Sequence, residues 1–110
     1  MTIIEEKNFC ERQIAFYKRE VEFTNKDIER TNEMMKKVRN NYKSETERIW
    51  AKGVLTETEM FYVNMGYKNL SEYKKLNSYR VQQYNWRKKY NRNINKYTEE
   101  LNKLNMLINA

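Results

Sequence analysis

One segment of the chain combines cationic and aromatic side chains in a pattern that suits nucleic-acid chemistry. Residues 79–92 read Tyr-Arg-Val-Gln-Gln-Tyr-Asn-Trp-Arg-Lys-Lys-Tyr-Asn-Arg. Lys and Arg can neutralise phosphates, and the rings between them can stack on bases. The side chains that would do so are Arg80, Tyr84, Trp86, Arg87, Lys88, Lys89, Tyr90 and Arg92. This is a candidate nucleic-acid-binding site, without the signature of a known binding module.

The same segment also has a structural interpretation. If the chain folds back near its middle, residues 80–92 lie beside residues 17–29 of the first half. That part contains the acids Glu20, Glu22, Asp27 and Glu29. Their carboxylates would offset much of the positive charge through pairs between the helices. The rings would then cover the interface between the helices instead of stacking on bases, and both interpretations stay open.

The positive charge is concentrated in one part of the chain. The formal net charge is +7, from 22 Lys and Arg against 15 Asp and Glu. Residues 1–65 are balanced, with 12 side chains of each sign, whereas residues 66–98 hold nine basic side chains and one acid, Glu72. A basic surface, if there is one, therefore belongs to the second half of the chain.

The chain lacks the side chains on which most catalysis depends. It has no histidine, two glycines and one cysteine, Cys10. We therefore do not expect proton transfer by histidine at neutral pH or a glycine-rich phosphate loop. We also do not expect a cysteine nucleophile with a base partner, or a metal site built on His or Cys. We predict a protein that is not an enzyme, without catalytic residues, metal or cofactor. Cys10 is expected to be a small buried apolar residue in a reducing compartment.

A helix end and a helix start lie close together near the middle of the chain. The residues that mark them are Gly53, Leu55, Thr56, Glu59 and Met60. The glycine can take the left-handed conformation that ends a helix. The threonine is a natural N-cap with a glutamate three residues later, and the leucine and methionine hold the positions of a hydrophobic staple. The sequence therefore predicts a turn at 53–56 between two long helices.

Helix one is predicted over about residues 3–52, with an apolar seven-residue repeat. Its first row is Ile14, Val21, Ile28, Met35, Tyr42 and Ile49, and its second row is Tyr17, Thr24, Thr31 and Val38. Such an a/d stripe predicts packing against another helix in a left-handed supercoil.

Helix two is predicted over about residues 57–108 and shows two patterns of apolar spacing. The first is Met60, Val63, Tyr67, Leu70, Val81 and Tyr84, and the second is Tyr90, Ile94, Tyr97, Leu101, Leu104 and Ile108. The phase slips between Tyr84 and Tyr90, which predicts either local overwinding or a stripe that turns towards a new neighbour. Gly66 is either a tolerated helical glycine or a break that separates residues 57–65, and we expect a continuous helix.

A second apolar row on helix one is the clearest candidate binding surface. Phe9, Phe16 and Phe23, the Phe face, recur seven residues apart, about 160° around the helix from the first row of the stripe. Exposed phenylalanines along a helix need a cover. That cover is either a second copy of this chain or a different helical protein.

Trp50-Ala51-Lys52-Gly53 at the predicted turn carries a resemblance to known families. A chain of this length, with Trp and Gly at a central turn between long helices, resembles the WXG-type helical hairpins of type VII secretion. It is also similar to the small helical partners of LXG toxins. The resemblance implies a non-enzymatic protein that pairs with another helical hairpin and is carried to the export machinery, with Trp50 as a recognition element. Two residues separate Trp50 from Gly53, where the family motif has one.

Together these features predict a single all-α domain over residues 1–110, a two-helix antiparallel hairpin or coiled coil that is oligomeric or bound to a partner. We expect a helical-hairpin interaction module, acting as adaptor, targeting factor or chaperone through the Phe face and Trp50. The alternative is a small basic nucleic-acid-binding or phage host-modulating protein acting through residues 79–92. No apolar run reaches the roughly 18 residues that span a bilayer. We expect a cytoplasmic protein, or one exported without a cleavable signal peptide.

Overall fold

A computed structural model describes residues 1–51, 53 and 56–110, with the side chains of all of these except residues 49, 62 and 64. The described residues form helices and short connections, with no strand among them. Helix α1 spans Ile3–Ala51, α2 spans Glu57–Met65, a 3-10 helix spans Gly66–Asn69, and α3 spans Ser71–Ile108. The all-α prediction is confirmed.

The residues between α1 and α2 have the conformations that their types predict. Gly53 has φ of +67°, in the left-handed region, and its N–H donates to the carbonyl oxygen of Trp50 at 2.9 Å. The hydroxyl of Thr56 accepts from the N–H of Glu59 at 3.2 Å and caps α2. Met60 is buried. The predicted staple partner Leu55, with residues 52 and 54, lies outside the described residues.

The expected continuous second helix is wrong, because the chain changes geometry at Gly66. The N–H of Gly66 bonds the carbonyl oxygen of Val63, three residues back, and the hydroxyl of Tyr42 donates to the same oxygen. A Cβ on Gly66 would lie 3.1 Å from Cζ of Tyr42 and nearer still to its hydroxyl. Because Gly66 has no side chain, the ring of Tyr42 from α1 can pack against its backbone, where any other residue would place a Cβ. Leu70 is extended, and α3 begins after it.

The predicted stripe on α1 is confirmed where the structure describes it. Ile28, Met35 and Val38 are buried, and so are the threonines of the second row, Thr24 and Thr31. Thr24 satisfies its hydroxyl by donating to the carbonyl oxygen of Glu20 at 2.7 Å, one turn earlier. A threonine can therefore fill an inward position without an orphaned polar group. Ile49 of the predicted stripe lies outside the described side chains.

The predicted phase slip in helix two is wrong, because α3 presents one uninterrupted inward row. The row is Tyr73, Leu76, Arg80, Gln83, Arg87, Tyr90, Ile94, Tyr97, Leu101 and Leu104, all buried or half-buried, at alternating spacings of three and four. Val81 and Tyr84, which the sequence places inward, are 50% and 39% exposed. Polar residues thus occupy three successive positions of the inward row.

The chain divides into two compact units. The first comprises Met1–Asp27 and Gln83–Ala110, and the second comprises Ile28–Gln82. In the first unit, Phe9 contacts Tyr97 while Asp27 contacts Gln83, so the start of α1 runs antiparallel to the end of α3. The second unit holds the remaining part of α1 together with α2 and the start of α3.

Candidate helix-docking surface

The Phe face lies on the first unit and is the most apolar exposed row of α1. Phe9, Phe16 and Phe23 are 38%, 46% and 62% exposed, so exposure rises along the helix. Phe9 meets the ring of Tyr97 edge-on at 6.0 Å, and Phe16 meets Tyr17 edge-on at 5.2 Å. These contacts hold one edge of two of the rings and leave much of the row accessible.

Tyrosines anchor the base of the Phe face to α3. The ring of Tyr17 stacks between Tyr90 and Tyr97, with ring centroids 6.0 and 6.2 Å away. Phe16 therefore contacts a tyrosine that itself packs on two rings of α3. The aromatic layer of Tyr17, Tyr90 and Tyr97 therefore braces the base of the Phe face.

A cleft of about 410 Å³ opens beside Phe9 at the end of the first unit. It is lined by Met1, Glu6, Phe9, Cys10, Glu100, Lys103 and Leu104. Cys10 is 3% exposed, and its Sγ donates to Oε2 of Glu100 at 3.8 Å. Burial raises the pKa of this thiol, and the charges of Glu100 and Glu6 raise it further. The thiol is thus held neutral, and Cys10 acts as packing, as its type predicts.

The basic aromatic segment of α3 splits between the inward row and the outer surface. Arg80 donates to the amide oxygen of Asn32 at 2.9 Å, and Arg87 donates to that of Asn25 at 2.9 Å. Both arginines are half-buried. They therefore bridge the two helices through amides, whereas the sequence points to carboxylates as their partners.

Gln83 is a fully buried polar residue of the inward row. Its Nε2 donates to Oδ2 of Asp27 at 2.9 Å, and its Oε1 has no hydrogen-bond partner among the described residues. Sequence reasoning missed Gln83 and both arginines as inward residues because they are polar. The signal was present: stepping back from Tyr90 by seven gives Gln83, and a further seven gives Leu76.

The outer part of the basic segment keeps its cations in solvent. Lys88, Lys89 and Arg92 are exposed, whereas Tyr90 is half-buried in the inward row. Tyr84 is partly exposed, with the guanidinium of Arg87 5.1 Å from its ring centroid. Trp86 is also partly exposed. The predicted nucleic-acid site is therefore divided, with its lysines and Arg92 on the outside.

Trp50, the predicted recognition residue near the turn, is 42% exposed in the last turn of α1. It belongs to the second unit, while the Phe face belongs to the first. The two predicted partner-binding elements are therefore not brought into one site by either unit.

No protein family, curated protein or solved structure matches this chain. Among the described residues, no helix is both long enough and apolar enough to cross a membrane.

Proposed function

We propose that the protein is a non-enzymatic helical hairpin that works as an interaction module, binding another helical chain along its Phe face. A role as adaptor, targeting factor or chaperone follows from that activity. The observation that carries the proposal is the row of three exposed phenylalanines at a seven-residue spacing on one helix. Rings spaced by two turns fit into the holes of a facing helix.

The support comes from the contrast between the two sides of α1. One side is already covered by α3, with threonines and aliphatic residues buried along it. The Phe face points elsewhere and is braced by tyrosines. An exposed aromatic row that is rigid loses little conformational entropy on binding. Such a row is typical of docking surfaces and costly in an isolated chain.

A photo-cross-linking experiment tests the proposal for a partner of any identity. Benzoylphenylalanine replaces Phe16 in cells that produce the protein, and irradiation should give a discrete adduct. Adding Phe9→Asp and Phe23→Asp should remove it, because charged side chains cannot enter an apolar helix interface. The matched control places the same cross-linker at Val81, which is half exposed on α3. No adduct at position 16, or equal adducts at both positions, would refute the proposal.

The resemblance to WXG-type hairpins stays a prediction for this chain. It adds export through type VII secretion to the proposed interaction module, with Trp50 as the recognised side chain. Trp50→Ala should then reduce export while leaving the Phe16 adduct unchanged. Equal export of the variant and the unaltered protein would remove this role and leave the docking proposal intact.

Nucleic-acid binding is the second candidate function, favoured by the exposed cations Lys88, Lys89 and Arg92 beside the partly exposed ring of Tyr84. It predicts binding to single-stranded DNA or RNA that weakens steeply with salt. Lys88→Glu with Lys89→Glu should abolish a gel shift at low salt. The control is Lys36→Glu with Lys37→Glu, an exposed pair on α1 that makes the same change in net charge. No shift for the unaltered protein would dismiss this function.

A further inference from the structure

Two rows of polar side chains border the Phe face, and they differ in charge. Three residues after each phenylalanine comes a cation, and four residues after it comes a carboxylate or an amide. The cationic row is Arg12, Arg19 and Lys26, and the acidic row is Gln13, Glu20 and Asp27. A helix advances about 100° per residue, so the cationic row lies about 60° to one side of the phenylalanines and the acidic row about 40° to the other.

The two rows differ in exposure. All three residues of the cationic row are exposed. In the acidic row all three residues are half-buried, and Asp27 accepts a hydrogen bond from Gln83 of α3. The Phe face is therefore bordered by positive charge on one side and mainly by negative charge on the other.

The charged rows of two copies of this chain attract each other in only one relative orientation of their α1 helices. When two copies pair with their α1 helices parallel, each cationic row faces the acidic row of the other copy. Arg19 then lies beside Glu20 of the second copy, and Lys26 beside Asp27, offset by about 1.5 Å along the axis. In an antiparallel pair, cations would face cations and acids would face acids, which is repulsive at these distances.

We propose that the Phe face binds the Phe face of a second copy of this chain, with the two α1 helices parallel and in register. The inference rests on the proposed function, since it names the partner of that surface. Each phenylalanine packs on its own counterpart, and the two rows of charge set the orientation. The carrying observation is the charge pattern, because a different helical partner would not require rows that match each other.

Disulfide trapping reads the orientation directly. In the Cys10→Ala background, Phe9→Cys and Phe23→Cys are prepared separately and oxidised. In a parallel pair, the introduced cysteine of one chain lies beside the same cysteine of the second chain. Each variant alone should therefore form a covalent dimer. An antiparallel pair would link Phe9→Cys to Phe23→Cys only in a mixture of the two variants, and that result would overturn the proposed orientation.

Charge exchange tests the role of the rows in solution. Arg19→Glu alone and Glu20→Arg alone should each weaken dimerisation at low salt at least about tenfold in sedimentation equilibrium. An equal mixture of the two variants should recover the unaltered affinity, because the mixed dimer restores opposite charges on both sides. Lys18→Glu and Glu11→Arg, exposed positions on the other side of α1, serve as controls and should change little.

The outcomes separate this inference from the proposed function. An adduct of twice the chain's mass at position 16, with self-linked cysteines, supports both. A monomer in sedimentation whose position-16 adduct contains a different protein overturns the second-copy inference and leaves the docking function standing. No adduct at position 16 overturns both.

Discussion

Gln83 fills an inward position of α3 at the cost of one unsatisfied polar atom. Its Nε2 donates to Asp27, while its Oε1 is buried and has no hydrogen-bond partner in the part of the chain that the structure describes. A buried acceptor left unbonded costs about 1–3 kcal/mol, so this amide is not the most stable choice for packing alone. Its physical effect is to fix which residue of α3 faces Asp27, since a shifted helix would break the bond.

Replacing Gln83 and its neighbour distinguishes the inward row of the structure from the apolar pattern of the sequence. Gln83→Ala should lower the free energy of unfolding by about 2 kcal/mol, because it opens a cavity and removes the donor to Asp27. Tyr84→Ala should cost less than about 1 kcal/mol, since it removes a partly exposed ring and one cation–π contact. Urea denaturation measures both. If Tyr84→Ala lowers the free energy of unfolding more than Gln83→Ala does, Tyr84 faces inward and the phase slip predicted from the sequence is correct.

Gly66 should reverse the usual effect of replacing a helical glycine. With φ of −65° the backbone accepts alanine, a change that ordinarily stabilises a helix by up to about 1 kcal/mol. Here the added Cβ meets Tyr42, so Gly66→Ala should destabilise the protein by about 1–2 kcal/mol. In a Tyr42→Phe background the cost should fall, because the nearest atom is gone. A double-mutant cycle in urea measures the coupling, and additive effects would contradict this contact.

Cys10 should be slow to react with alkylating reagents in the folded protein. Burial first, and then the carboxylates of Glu100 and Glu6, raise its pKa above the ordinary value of 9.0. Iodoacetamide labelling should therefore turn on at a higher pH in the native protein than in urea. The raised pKa also means that Cys10 favours the folded state below pH 9.0, and that this contribution is lost as the pH rises further. Equal labelling profiles would contradict the buried, acid-lined position.

At the scale of the helix, α2 depends on its cap more than the longer helices do. It has nine residues, and Thr56 accepts the N–H of Glu59 at its first turn. A helix this short has little cooperative stability of its own. Thr56→Ala should cost about 1 kcal/mol and should speed amide hydrogen exchange in α2. Exchange along the buried part of α1 should stay unchanged, and a uniform rise across all helices would indicate global destabilisation instead.

The ends of helices can be predicted from the sequence where capping residues and glycines act on their immediate neighbours. Thr2 accepts the N–H of Glu5 at 3.1 Å, and Thr56 and Gly53 take their predicted conformations, so the helix ends near them need only neighbouring residues. The break at Gly66 could not be settled in the same way. It depends on Tyr42, which lies 24 positions away in sequence and supplies a hydroxyl to the carbonyl oxygen of Val63.

The inward row of α3 was harder to predict because hydrophobicity is the usual guide. Arg80, Gln83 and Arg87 are polar, yet each finds an oxygen acceptor on α1. Val81 and Tyr84 are apolar and lie between these polar residues in the sequence. The apolar pattern therefore placed them inward, whereas the structure exposes them. The Phe face, in contrast, could be predicted from spacing alone, because its three phenylalanines recur every seven residues on α1 and stay at least 38% exposed.

For the whole molecule, self-association couples stability to concentration. If the folded chain dimerises through the Phe face, mass action favours the folded state at higher protein concentration. The melting temperature should therefore rise when the protein concentration is raised a hundredfold. Phe16→Asp should remove that dependence, while Val81→Asp, on the outer side of α3, should retain it. A melting temperature independent of concentration in the unaltered protein would contradict the dimer.

The partition into two units gives each its own fluorophore. Of the two tryptophans, Trp86 belongs to the first unit and Trp50 to the second, and both rings are about two-fifths exposed. Trp50→Phe leaves emission from the first unit alone, and Trp86→Phe leaves emission from the second. Because α1 runs through both units without interruption, we expect the two emission curves to coincide as urea rises. Separate midpoints would mean that this long helix can melt at one end while the other end stays folded.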